Sequence, residues 1–428
     1  MTSLALAPHR TIRRKRLTRG SLVAALDVGS HKICCLIARV GEDDGFAVVG
    51  MSHQSAAGMR SGTIADFDSA ASAIGAAVQA AERMAGESID GVYAAISGVH
   101  THSHQLKLEV DIAGQRVLDS DLAFALAHAR RLERPGEAEL IHAIPAAYAI
   151  DEQKGILDPR GMFGDTLTID VHSIVARAAP VRNLTSAIGA NHLSVHGLAH
   201  AAYAAGLAVL VEDELELGCT LVDIGGGTAE IAVFGGGNLV HVDSVPIGGQ
   251  HVTNDIARGL TTPLAHAERI KTLHGSALAG AADAHDYIDI PQLGEGEDGG
   301  TSTVPRSLLV GFIRPRLEEM FELIRARLDA NGLAKEAGRQ LVLTGGGCQI
   351  PGTRELAHLI LDKQVRIGRP TKLAGLADAV SGPAFATAAG LIAFAERQET
   401  APEPLPAMPG PHVHSFWGRV GSWLRENL

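Results

Sequence analysis

Aromatic side chains are scarce in this chain, at 4% of 428 residues, although hydrophobic residues reach 46%. Large cores are therefore possible, but they must be built from Ala, Leu, Val and Ile. Cysteine is equally sparse. Cys34, Cys35, Cys219 and Cys348 show neither metal-site nor disulfide spacing. Three of them fall in or beside expected core strands, so all four read as reduced, buried thiols of a cytosolic protein. No run of about 18 uncharged apolar residues occurs, which excludes a membrane-spanning helix. No apolar segment with a small-residue cleavage site follows the basic start, so no signal peptide is expected. Acids are missing from the first 26 residues, which carry Arg10, Arg13, Arg14, Lys15, Arg16 and Arg19; beyond them 31 bases face 48 acids, a net of −17 against −11 for the whole chain. So acidic a body argues against nucleic-acid binding. The basic arm reads as a disordered tail or as a contact for anionic lipid.

The length exceeds one ordinary core, so two or more domains are expected. Ser21–Met51 reads as three short strands, Gly62–Ala85 as a turn and an Ala-rich helix, and Val92–Ser97 as a buried strand. From there to about Ala179 polar strands such as Gln105–Ile112 alternate with one helix, Asp119–Leu132, as in an inserted α+β subdomain. Helices are expected at Val181–Ala190 and Ala199–Val211 around a short strand, Leu193–His196. An acidic loop, Glu212–Glu216, then precedes strands at Ala229–Phe234 and Leu239–Asp243. Asp255–Arg258, Ala265–Leu273, Leu308–Ala330 and Ala384–Glu396 read as helices, Leu341–Leu343 as a buried strand, and Gly294–Gly300 as a mobile loop. Pro402, Pro404, Pro406, Pro409 and Pro411 make a semi-rigid linker.

One pattern recurs. Asp27-Val28-Gly29-Ser30 and Asp223-Ile224-Gly225-Gly226-Gly227-Thr228 each open a β-meander, 196 residues apart. A turn without side chains exposes successive backbone N–H groups, a nest for phosphate oxygens. The carboxylates of Asp27 and Asp223 can hold Mg²⁺ through its waters. Ser30, Lys32 and Thr228 add donors at the rim. A third strand ends in Thr344-Gly345-Gly346-Gly347, suited to a base and ribose. Glu268 and Lys271 share a helix face and can reach ribose hydroxyls, although such a pair alone also reads as a solvated ion pair. Two facing turns of this kind predict a split ATP site; two simple hairpins are the alternative.

These residues resemble the phosphate-1 (Asp27–Lys32, with His31), phosphate-2 (Asp223–Thr228) and adenosine loops of the actin/Hsp70/sugar-kinase superfamily. Within it the chain looks like the bacterial FtsA cell-division family, from about Val23 to Glu396 and again at the tail. The likeness includes Gly58-Met59-Arg60-Ser61-Gly62, His142-Ala143-Ile144-Pro145, Glu214–Thr228, Val245–Ala257 with Gly248 and Gly249, and Pro305-Arg306-Ser307-Leu308. The resemblance implies an α/β, actin-like two-lobed ATPase fold with an FtsA-type inserted α+β subdomain and a C-terminal amphipathic helix. Its cofactors would be ATP and Mg²⁺, with Gly248 and Gly249 added to the nucleotide contacts. The implied parts are a disordered arm (1–20), a first-lobe core (21–97 with 180–212 and 377–397), the inserted subdomain (98–179) and a second-lobe core (213–245 with 331–376). A peripheral second-lobe subdomain (246–330), the linker (398–414) and the amphipathic helix (415–428) complete the chain. Implied partners are the FtsZ C-terminal peptide on the peripheral subdomain, further copies of the chain, later division proteins and the cytoplasmic face of the inner membrane at the septum. Arg306 lies where the family uses basic residues for the peptide; read alone, it is equally a surface ion-pair partner.

One departure bears on chemistry. Hydrolysing relatives place a Gln or Glu at a helix start between the phosphate loops to orient water; here that stretch is His196-Gly197-Leu198-Ala199-His200. Tight ATP binding with slow hydrolysis or none is therefore expected, with His200 a packing histidine or a substitute. His100, His102 and His104 share one strand face and read as exposed polar residues or, less simply, as metal ligands. Asp66 and Asp68 read as helix-capping residues. No catalytic triad is evident. A small-molecule kinase or another actin-like scaffold, of pilus-assembly or rod-shape type, would share the fold.

The tail carries both tryptophans, Trp417 and Trp423. Phe416, Val420, Trp423, Leu424 and Leu428 fall at three- and four-residue steps on one helical face. Fourteen residues cannot span a bilayer but can lie in its interface, with Trp at headgroup depth. Docking on the body or a partner is the alternative, which the Pro-rich spacer disfavours. Deleting Ser415–Leu428 is expected to abolish sedimentation with lipid vesicles; undiminished binding would refute the tail as the main anchor.

Overall fold

In the computed structural model, β1 (Leu22–Val28), β2 (Lys32–Val40) and β3 (Phe46–Ser55) form an antiparallel meander. Ile33–Ala38 of β2 is a continuous apolar run buried on both faces, as a central strand requires. A short hairpin, β4 (Met59–Arg60) with β5 (Thr63–Ile64), leads to α1 (Phe67–Ala85). Asp66 caps α1 by accepting from the Ser69 N–H, and Gly86 ends it in the left-handed region. β6 (Gly91–Ile96) then runs parallel to β1. The structure describes residues 17–41, 45–132, 137–280, 285–293, 300–333, 336–371, 373–375, 381–400 and 413–415. The arm up to residue 16, most of the 294–300 loop, the five linker prolines and the apolar tail residues Phe416 to Leu428 lie outside them.

The chain leaves the first lobe at Gly98. β7 (Thr101–Asp111), α2 (Asp119–Leu132), β8 (Ala138–Ile150), β9 (Gln153–Ile156) and β10 (Thr166–Arg177) make an antiparallel sheet in the order β7-β10-β8-β9, with α2 packed on it. Leu108, Val110, Leu167, Ile169 and Ala125 give it a core of its own. The chain returns through α3 (Ala178–Gly189), β11 (Ser194–His200), α4 (Ala201–Val209) and α5 (Glu212–Leu217).

Two sequence expectations are corrected here. Residues 196–200 are strand, not the start of a helix, because β11 pairs in parallel with β6 through His200 opposite Ile96. Residues 212–216 are helix, not loop: Glu214 accepts from the Val211 N–H at 3.1 Å and takes both Nε and a terminal nitrogen of Arg366 at 2.5 Å.

The second lobe repeats the first. β12 (Cys219–Ile224), β13 (Ala229–Gly235) and β14 (Asn238–Val245) form its meander. Then come α6 (Gly249–Leu260), α7 (Leu264–His274), the hairpin β15 (Tyr287–Pro291) with β16 (Thr301–Pro305), and α8 (Ser307–Ala330). β17 (Gln340–Thr344), α9 (Thr353–Leu361) and β18 (Gln364–Ile367) follow. The sheet orders β3-β2-β1-β6-β11 and β14-β13-β12-β17-β18 are the same, three antiparallel strands extended by two parallel ones. α10 (Ala386–Thr400) closes the body. Val413–Ser415, expected as the end of the linker and the start of the tail helix, instead form β19 along Leu108–Val110 of β7.

α4 is buried along its whole length. With α10 it fills the space between Ala25 and Leu36 of one sheet and Leu221 and Ala232 of the other. Small residues make this possible: a Cβ on Gly390 of α10 would overlap the Ala204 carbonyl of α4. Gly390→Ala should gain about 1 kcal/mol of helix propensity yet lower the thermal midpoint by a few degrees, roughly, because overpacking here costs about 1–3 kcal/mol. A circular-dichroism melt checks this; a midpoint at or above the parent's would show that the helices separate freely.

Candidate functional site

A cavity of about 500 Å³ opens between the two meanders. From the first lobe it gathers Asp27, Gly29, Ser30, His31 and Lys32; from the second, Asp223, Gly225, Gly226, Gly227 and Thr228. Gly249, Glu268, Lys271, Gly345, Gly346 and Gly347 close the far side. The glycines are required by proximity. A Cβ on Gly227 would stand 2.7 Å from Ser30 Oγ and 2.8 Å from Ser61 Cα, and one on Gly226 would stand 2.9 Å from His31 Cβ. Gly345, at φ +83°, is barred to a side chain by the Asp223 carboxylate. Gly248 does not line the cavity. It sits behind the second turn, where Gly249 N and Gln250 N donate to Gly225 O and Gly226 O at 2.9 and 2.8 Å. The start of α6 thus braces the loop.

The polar groups are prepared for an anion and a cation. Lys32 Nζ is buried without a hydrogen-bond partner, 3.4 Å over the Phe385 ring; burial lowers its pKa, and only an anion would hold its charge in place. Ser30 Oγ accepts from the Gly62 N–H at 2.7 Å, which leaves its own proton to donate. Asp27 is pushed up to about 6, chiefly by burial, and Asp223 is raised by burial against the Thr387 hydroxyl, which donates to it at 2.7 Å. Two desolvated carboxyls facing one cavity suit a divalent ion. Among the described residues no three His, Cys, Asp or Glu groups converge, so Mg²⁺ there would rest on these two carboxylates, water and phosphate oxygens. The same result leaves His100, His102 and His104 without a metal cluster.

Glu268 and Lys271 form a built network, not a solvated pair. Lys271, 9% exposed, donates through Nζ to Glu268 Oε2 at 2.7 Å, Thr253 Oγ1 at 2.8 Å and Gly249 O at 3.1 Å. Arg306 donates through Nε to His274 O at 2.9 Å and lies 3.7 Å from Asp286, so it ties the β15–β16 hairpin to the end of α7.

Sequence reasoning missed several lining residues, among them Thr387 and Glu230. Thr387 comes from α10, with no local signal in the sequence. Glu230 was legible as the second residue after Thr228 on a strand, and hence on the same side. Its Oε1 accepts from Thr228 Oγ1 at 2.7 Å and from the Gly98 N–H at 2.8 Å. His200 Nε2 lies 3.6 Å from Glu230 Oε2, but this is no ion pair: burial holds the imidazole neutral and raises the carboxyl to about 7.

Matching sheets around a glycine-lined cleft define an actin-like, two-lobed ATPase fold. A chain of the PilM–PilN type IV pilus biogenesis complex superposes with a TM-score of 0.62 at 17% identity, over 91% of this chain and 100% of that one. MreB 5 of Spiroplasma citri bound to AMPPNP gives 0.53 at 13%, over 89% and 97%. The family models for cell division protein FtsA and for the SHS2 domain inserted in FtsA match residues 220–390 and 98–175. Cell division protein FtsA of Rhizobium meliloti (strain 1021) is 41% identical over 425 residues, 96% of each chain; that of Escherichia coli (strain K12) is 33% identical over 425 residues, 96% of this chain and all of that one. The chain belongs to the FtsA family of cell division proteins.

Three buried histidines make stability depend on pH. Burial pushes His142 and His200 down to about 3 and His172 to about 4. Unfolded imidazole, near 6.5, takes a proton that these refuse, so stability is complete above about pH 6.5 and falls as pH drops toward 4. Asp27 and Glu230 act oppositely, because folded they hold protons to about 6 and 7. Asp223, also raised by burial, is a third opposing group, so the three carboxyls offset much of what the three imidazoles contribute, and a single histidine is read against its own variant. His200→Gln is expected to reduce the slope of unfolding free energy between about pH 6.5 and 4.5 by about 1.4 kcal/mol per pH unit. Denaturant titrations across this window check it; an unchanged slope would place the proton uptake elsewhere.

Proposed function

We propose that the chain is a nucleotide-gated membrane adaptor of cell division. ATP with Mg²⁺ binds between the lobes, with Lys32, Ser30, Thr228 and the glycine turns on the phosphates, Asp27 and Asp223 toward the metal, and Glu268 and Lys271 toward the nucleoside. The observation that carries this reading is Lys32 Nζ, buried and without a hydrogen-bond partner between two facing phosphate nests. The AMPPNP in the MreB 5 structure supports the same use of the fold. Binding draws the lobes together and favours self-association. The peripheral subdomain takes the FtsZ C-terminal peptide near Arg306, the inserted subdomain helps recruit later division proteins, and the amphipathic tail holds the assembly on the cytoplasmic face of the inner membrane at the septum.

Hydrolysis is slow in this reading. Residues 196–200 present no amide or carboxylate side chain, and the nearby Glu230 is engaged by Gly98 and Thr228. Lys32→Ala should weaken ATP binding at least tenfold, because a charge-assisted hydrogen bond contributes about 1.5–3 kcal/mol. Titration with a fluorescent ATP analogue checks this, and wild-type affinity would remove Lys32 from the site. In co-sedimentation with vesicles, FtsZ and ATP, the wild-type chain should carry FtsZ into the pellet; FtsZ left in the supernatant would sink the adaptor reading.

A further inference from the structure

Glu230 is 3% exposed and belongs to the second lobe, yet one of its oxygens serves both lobes. Oε1 accepts from Thr228 Oγ1, on the second glycine turn, and from the backbone N–H of Gly98, in the first lobe. Gly98 is the point from which the chain departs into the inserted subdomain. Its φ is +105°, and its carbonyl accepts from Thr101 Oγ1, at the start of β7, at 3.2 Å. Glu230 Oε2 is buried with no hydrogen-bond partner. A second tie lies one turn of strand further on: Ser103 Oγ donates to Val242 O at 3.0 Å and accepts from Val242 N at 3.1 Å. The inserted subdomain is thus rooted in the first lobe and leans on the second.

We propose that Glu230 is a positioning residue that transmits the state of the phosphate-2 turn to the root of the inserted subdomain. This rests on the nucleotide reading above. The Thr228 hydroxyl has one proton to donate. A terminal phosphate oxygen at the turn competes for it, and Glu230 Oε1 is then left with a single donor. An acceptor relieved of one of two donors binds the other more tightly. The Gly98 N–H is therefore held more firmly with a triphosphate than with a diphosphate, and the inserted subdomain is seated more rigidly against the second lobe.

Amide hydrogen exchange at Gly98 in the full chain tests this. Without nucleotide, Glu230→Ala should speed exchange about tenfold, the loss of one hydrogen bond. Glu230→Gln, which keeps the Oε1 acceptor, should stay within about threefold of the parent. Thr228→Val removes only the competing donor and should slow Gly98 exchange about threefold without any nucleotide, a direction that loss of a purely structural bond would not produce. In the parent, AMPPNP should slow Gly98 exchange relative to ADP, and Glu230→Ala should erase the difference. Unchanged exchange in Glu230→Ala, or unchanged or faster exchange in Thr228→Val, overturns the latch. A nucleotide response that survives Glu230→Ala overturns the coupling. Absence of nucleotide binding by the parent, read from the fluorescent analogue, overturns the nucleotide reading and the coupling together, while the nucleotide-free comparison still decides the latch.

Discussion

The backbone-to-backbone approach of the two glycine turns is the constraint on which the rest of the molecule depends. Gly226 and Gly227 come so close to Ser30, His31 and Ser61 that a methyl group on either would force the lobes apart. That closeness places Asp27 and Asp223 across one narrow space, desolvates both, and leaves the Lys32 ammonium between them under an aromatic ring. Electrostatic tension is concentrated among these groups, because burial raises both carboxyls and lowers the lysine.

Holding two lobes at that spacing demands a thin partition, and the composition supplies it. α4 and α10 are rich in Ala and Gly around two rings, Tyr203 and Phe394, so two helices fit between two sheets. The same partition contains Thr387, whose hydroxyl reaches Asp223, so the packing element also enters the site.

Much of this was legible in the sequence wherever local patterns dominate. Both meanders, the inserted helix Asp119–Leu132, the Asp66 cap and the glycine turns could be read from apolar runs, turn residues and spacing. What escaped was set by partners distant in sequence. Residues 196–200 carry a mixed pattern that parallel pairing with β6 resolves into strand. Glu212–Glu216 looks like a solvated acidic loop until Arg366, about 150 residues later, takes Glu214. Spacing from Thr228 places Glu230 on the side of the turn, but its other partner, Gly98, is 132 residues away and leaves no local sign. Gly248, expected at the nucleotide, braces the turn from behind, a distinction between touching a ligand and shaping its cradle that spacing alone does not draw.

The repeated five-strand sheets have been elaborated at different joints. The first lobe carries its extra subdomain after the fourth strand of the repeat, between β6 and β11; the second carries its extra helices and hairpin after the third, between β14 and β17. The additions therefore break the internal two-fold likeness of the molecule and give it unequal ends. A stack of such bodies has a direction, and each end of the stack displays a surface that the other lacks.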